Sequence, residues 1–167
     1  MAKHDAQSRT FLWELIKDIH FGMFITRAAD GHLHSRPMTT QNKSLDDESS
    51  LWFFMSRKND PVKEIAADSR IHLAYAHPGK DIYVSIAGTA RVVHNPAKVD
   101  ELWSKMAEAW FPGGPTDPAL ALVEVVPAHV HYWDVKENKL VQLFAMAKAS
   151  VTGAPPSDLG ESGEIKV

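Results

Sequence analysis

The sequence predicts a mainly β, antiparallel fold of the α+β type, a barrel or a sandwich with peripheral helices. Three observations lead there. Six or seven short apolar or alternating runs are separated by turn signals. Helical stretches lie between some of the runs but do not alternate strictly with them, which disfavours a doubly wound parallel sheet. Asp30-Gly31 stands between two of the runs, a strong hairpin signal.

Each element has its own justification. Residues 8–19 read as an amphipathic helix, with Phe11, Leu12, Leu15, Ile16 and Ile19 at three-and-four spacing. Phe21 to Thr26 is a short apolar strand. Its hairpin return runs from His32 to about Thr40, with His32, His34, Arg36 and Met38 on one face. Pro37 has no N–H to donate, which places this strand at an edge or a bulge. Residues 42–50, with Asp46-Asp47-Glu48, read as a loop. Leu51 to Met55 is apolar on both faces and so is covered on both.

Asp60-Pro61 opens a helix, Asp as N-cap and Pro at the first helical position, with Val62, Ile65 and Ala66 on its apolar side. Ile71 to Ala76 and Ile82 to about Val93 are strands, and Gly88 marks a bulge or bend in the second. Asn95-Pro96 starts one further helix, striped by Val99, Leu102, Trp103, Met106 and Trp110 and broken at Pro112-Gly113-Gly114-Pro115. Leu120 to Val126 and His129 to Val135 are strands interrupted at Pro127. Leu140 to Thr152 reads as strand then helix. From Gly153 onward Gly, Pro, Ser and acidic residues prevail, so residues 1–152 form the domain and 153–167 a mobile tail.

Composition bounds the function. The chain has 167 residues, 44% hydrophobic and 23% charged, enough for one packed core without staples. Its 18 Lys and Arg against 21 Asp and Glu leave a net charge of −3, without the basic excess of a nucleic-acid binder. It has no cysteine, which excludes disulfides, thiolate nucleophiles and Cys-based metal sites. No apolar run has the length of a membrane helix, and the N-terminus lacks a secretory h-region, so the expected setting is the cytoplasm.

The chemistry-bearing patterns are few. No G-x-S-x-G elbow and no G-x-G-x-x-G turn occur. His32-x-His34 and His129-x-His131 could each chelate from one strand face, but no third ligand has helpful spacing, so no metal site is assigned. The most suggestive stretch begins at Arg36-Pro37-Met38. It continues through the strand ending at Met55-Ser56, then Arg57 and Lys58, to a helix start with Lys63 just inside. Basic residues near a helix N-terminus suit an anion, and aromatic residues on the adjoining strand suit a flat ring. Exposed basic loop residues are the competing explanation.

Four segments in order carry a resemblance: Ser35-Arg36-Pro37-Met38, Leu51-Trp52-Phe53-Phe54, Tyr83 to Ala90 (Tyr-Val-Ser-Ile-Ala-Gly-Thr-Ala), and Trp110-Phe111-Pro112-Gly113-Gly114. Together they resemble the general stress protein branch of the pyridoxamine 5′-phosphate oxidase-like family, over about residues 8–152. The resemblance implies a six-stranded antiparallel split β-barrel and a homodimer with flavin mononucleotide (FMN) at the subunit interface. It implies that Arg36, Pro37 and Met38 run along the flavin, Arg36 toward the ribityl phosphate, with Thr39 to Gln41 following. Phe54 and Met55 would meet the ribityl chain, and Trp110 to Gly114 would close the pocket, from the same or from the partner subunit.

The chain departs from the family pattern where a phosphate-binding Lys normally stands. Asp60 and Pro61 hold those positions, and a carboxylate at a helix start repels a dianion. Lys58 and Lys63 could partly compensate. Gln41 stands where true oxidases of the family carry Lys. The resemblance therefore implies a flavin-binding stress-response protein with a weakened phosphate site, either an FMN-dependent oxidoreductase or a non-catalytic flavin- or small-ligand-binding protein. No catalytic acid or base is named, because the flavin itself would carry the redox chemistry.

Overall fold

The structure, a computed structural model, describes residues 2–45, 49–135 and 161–166. Its elements are α1 (Ala2–Ile16), β1 (Gly22–Arg27), β2 (Leu33–Met38), β3 (Leu51–Ser56), α2 (Asp60–Ala67), β4 (Arg70–His77), β5 (Ile82–Val93), α3 (Pro96–Leu102), α4 (Lys105–Trp110), β6 (Leu120–Asp134) and β7 (Glu161–Ile165). The sheet is antiparallel throughout, in the order β2-β1-β4-β5-β6-β3, and β7 also pairs with β6. The predicted mainly β barrel with peripheral helices is therefore the observed class, with one more strand than the six expected.

The sheet curls until its ends meet. Phe24 of β1 packs edge-on against Phe53 of β3, 5.2 Å between ring centroids, although three strands separate β1 from β3 in the hydrogen-bonded order. Beyond β2, the Gln41 N–H donates to the Trp52 carbonyl at 2.8 Å, and the Trp52 N–H donates to Asn42 Oδ1 at 2.8 Å. These bonds pin β3 to the chain leaving β2. From this pin the two strands part, which is the split in the barrel.

β3 divides two cores. Leu51, Phe53 and Met55 point into the barrel with Phe24, Leu73, Ile86 and Val125. Trp52 and Phe54 point outward against Val99, Leu102, Ala107 and Phe111 of the α3–α4 region. The doubly apolar strand is thus covered on both faces within one chain and needs no partner subunit for it. Gly88 marks a real irregularity: the β5–β6 register shifts between Ala87 and Gly88, leaving Ala128 as the extra residue beside Pro127. The break expected at Pro127 is absorbed by this bulge, so β6 is one strand of 15 residues.

Other boundaries differ from expectation for local reasons. The first helix begins earlier and ends at Ile16, and Ile19 beyond it is still buried. The single helix expected after Asn95 is two, because the Ser104 side chain accepts the Ala107 N–H and caps a new start. Met106 and Trp110, members of the expected helical stripe, are exposed. Asn59 rather than Asp60 occupies the N-cap of α2, and the buried positions of α2 are Pro61, Glu64 and Ile65. Ala66 is exposed. The tail expected after Gly153 is corrected at its far end: β7 pairs with Val130 to Asp134, and Ile165 belongs to the barrel core. The expected loop at 46–48, the strand and helix from Leu140 to Thr152, and residues 153–160 lie outside the described residues. No helix among the described residues is long and apolar enough to cross a membrane.

Candidate functional site

The split between β2 and β3 holds a cleft of about 550 Å³. β2 is an edge strand, paired only with β1, so its far side presents unpaired backbone groups toward β3. Arg36, Pro37, Met38 and Thr39 line one wall, followed by Gln41, whose side-chain amide donates to the Thr39 carbonyl at 3.1 Å. Phe54, Met55 and Ser56 form the facing wall. Asn59 and Pro61, from the start of α2, close one end, and Phe111, Pro112, Asp117 and Ala119 lie along the rim.

The rim has a definite local cause. A Cβ on Gly113 would stand 2.8 Å from the Asp117 carboxylate, which accepts the Gly113 N–H at 3.2 Å and the Ala119 N–H at 2.9 Å. Gly114 has a φ of 77°, a conformation that favours glycine. Each glycine of the Trp-Phe-Pro-Gly-Gly segment is thus required for a separate reason. Trp110 lines the cleft but remains 79% exposed, at the mouth beside Phe21 and Met106.

Arg36 is held by a group that the sequence reading missed. Its Nη2 lies 3.0 Å from Glu64 Oε2, and its Nη1 donates to Thr26 Oγ1 at 2.8 Å. Thr26 in turn donates to Glu64 Oε2, and His34 Nδ1 lies 2.9 Å from Oε1. Thr26 and Glu64 are buried. Burial by itself pushes the Glu64 carboxyl up. The bonds from Thr26, His34 and Arg36, with the charge of Arg36, outweigh it and hold the carboxyl below its ordinary value. One signal for Glu64 was available: it lies one residue from Ile65 and three from Pro61, on the inward side of a short amphipathic helix.

Of the ten residues expected at the site, eight line the cleft: Arg36, Pro37, Met38, Thr39, Gln41, Phe54, Met55 and Trp110. Lys58 and Lys63 are exposed and do not line it; Lys63 lies 3.9 Å from Asp60, which is itself exposed and outside the lining. Pro61 does line it. Of the histidine pairs, His32 lies 3.0 Å from Asp30, His34 is bonded to Glu64, and His129 lies 3.7 Å from Glu164.

Known proteins share this fold. A solved structure described as a general stress FMN/FAD binding protein from Xanthomonas citri is 32% identical, covering 80% of this chain and 92% of that one, with a TM-score of 0.67. A candidate general stress protein 26 from Jannaschia sp. CCS1 is 27% identical, with coverage of 97% and 98% and a TM-score of 0.71. General stress protein 26 of Bacillus subtilis (strain 168) is 28% identical over 116 residues, 68% of this chain and 79% of that protein. The family described as "Pyridoxamine 5'-phosphate oxidase like" matches residues 7–157. With the curled antiparallel sheet and the cleft in its split, this match establishes that the chain belongs to the pyridoxamine 5′-phosphate oxidase-like family.

Proposed function

We propose that the chain is a flavin-binding protein of the general stress type and that the cleft between β2 and β3 holds the flavin ring, FMN being the form implied by the family resemblance. The observation that carries this reading is the cleft itself: a slot of about 550 Å³ between an edge strand and an apolar strand, within the usual range for small-ligand sites. Met38, Phe54, Pro61 and Phe111 supply apolar walls for a flat ring, and the open edge of β2 supplies backbone donors and acceptors for its rim. The Xanthomonas citri relative, described as binding FMN or FAD, supports the assignment of ligand class.

The ring end fits the residues present; the phosphate end fits poorly, because Arg36, the one lining cation among the described residues, is paired with Glu64. A bound isoalloxazine supplies hydride chemistry of its own. The chain's part is to hold the ring between β2 and β3 and to shield it from water. Phe21, Met106 and Trp110, exposed around the mouth, would complete that shield in a two-fold homodimer, which sedimentation at micromolar concentration tests.

A second reading, a non-catalytic flavin- or small-ligand-binding protein, is favoured by one observation: among the described residues, Arg36 and Asp117 are the only charged side chains lining the cleft, and both are engaged. Titration with FMN and riboflavin, followed by a nicotinamide donor, separates the readings. Quenching of flavin fluorescence with subsequent bleaching of the flavin band supports an oxidoreductase. Quenching without reduction supports the second reading. No quenching by either flavin overturns the proposal.

A further inference from the structure

We infer that Glu64 is a positioning residue that sets ligand specificity: by holding and neutralising Arg36, it removes the advantage a phosphorylated flavin would otherwise have over a neutral one. The inference rests on the flavin reading above. It goes beyond that reading by stating that the site does not discriminate the phosphorylated from the neutral flavin and by naming the residue responsible.

The charges around the cleft carry the argument. Arg36 and Asp117 are the charged lining residues. Arg36 spends one amino group on Glu64 at 3.0 Å and the other on Thr26 at 2.8 Å, and Glu64 is buried beneath it with His34 on its second oxygen. The Arg36–Glu64 pair is neutral. A phosphate that captured Arg36 would have to draw the guanidinium from Glu64 and leave a buried carboxylate with one partner fewer.

Among the described residues, nothing else at that end replaces the lost attraction. Pro61 gives the start of α2 no N–H at its position, and Asp60 and Lys63 face each other outside the lining. Asp117 brings a negative charge to the rim. Ser56 and Asn59, by contrast, line the same end with a hydroxyl and an amide. These neutral donors and acceptors suit a polyol arm such as the ribityl chain, with or without a phosphate beyond it.

The test is fluorescence titration of the full chain with FMN and with riboflavin at about 50 and about 500 mM salt, since a free Arg–phosphate attraction is screened over that range. The expected result is FMN affinity within about threefold of riboflavin, with the same small salt response for both. Glu64→Gln keeps a hydrogen-bond acceptor but removes the charge. It should tighten FMN about tenfold and make its binding salt-sensitive, with riboflavin within about twofold of the parent. A parent that prefers FMN tenfold or more, with salt-sensitive binding, overturns the inference. So does a Glu64→Gln protein in which both flavins shift alike or neither shifts. If that variant does not fold, the ratio and salt response of the parent decide alone. Binding of neither flavin overturns the flavin reading and this inference with it; binding of both with FMN ahead overturns the inference only.

Discussion

Glu64 holds together three elements through single side chains: Thr26 from β1, His34 and Arg36 from β2, and its own helix α2. Its hydrogen bonds replace the water lost on burial, and losing the charge-assisted ones costs about 1–3 kcal/mol. Glu64→Gln should therefore lower the Tm by several degrees at neutral pH. The pH dependence follows from the depressed carboxyl value. Above the ordinary value of 4.5, Glu64 is ionised folded or unfolded and its stabilisation is complete. As pH falls below 4.5 and through the lower folded-state value, the native carboxylate takes up its proton and the stabilisation is lost. The Tm gap between parent and Glu64→Gln should shrink on going from pH 7 to about pH 3, followed by circular dichroism; a gap constant with pH would mean that charge contributes nothing.

At the scale of elements, the β5–β6 pair shows how one residue type shapes a strand. A Cβ on Gly88 would lie 2.3 Å from the Val126 carbonyl oxygen and 3.1 Å from Pro127 Cα. Both obstacles are backbone, so neither can swing aside as a side-chain end would. Gly88→Ala should force the bulge apart and cost about 1–3 kcal/mol, the usual penalty for overpacking, read as a lower Tm. A Tm equal to the parent's would show that the bulge is loose. Gly88 and Pro127 were both legible in the sequence as irregularities. That they are the two sides of one bulge was not, because the cross-strand register depends on long-range pairing that local composition does not encode. Ser104 teaches the same lesson in reverse: its cap is local, but the apolar stripe running through it resembles one unbroken helix.

The whole molecule depends on an edge that β3 and β7 share. β6 pairs with β5 along one side; on the other, Leu120 to Val125 pair with β3 and Val130 to Asp134 with β7. Without β7, the second half of that edge would be open and the pocket around Ile165 would lose its filling. A chain ended after residue 160 should lose about 2–4 kcal/mol, comparable to deleting one buried aliphatic side chain, with a Tm lower by about 5 °C or more. An unchanged Tm would return these residues to the status of a dispensable tail. The Gly- and acid-rich run Glu161-Ser162-Gly163-Glu164 has low strand propensity, so its place in the sheet comes from the vacant edge and from one apolar residue, Ile165.

Period-two apolar runs, Asp-Gly between β1 and β2, Pro37 on an edge and the doubly apolar β3 are local properties, so the sequence by itself determined the fold class; the eight lining residues came from the ordered motifs that carry the family resemblance. Tertiary structure alone decided that α3 and α4 cover the second face of β3, and that Lys58 and Lys63 do not line the cleft. It also decided that Arg36 is bound to a carboxylate 28 residues distant in the chain. The physical reason is the same in each case. Periodicity reports which side of an element is apolar, whereas the partner of a charge is chosen by what the folded sheet brings within about 3 Å of it.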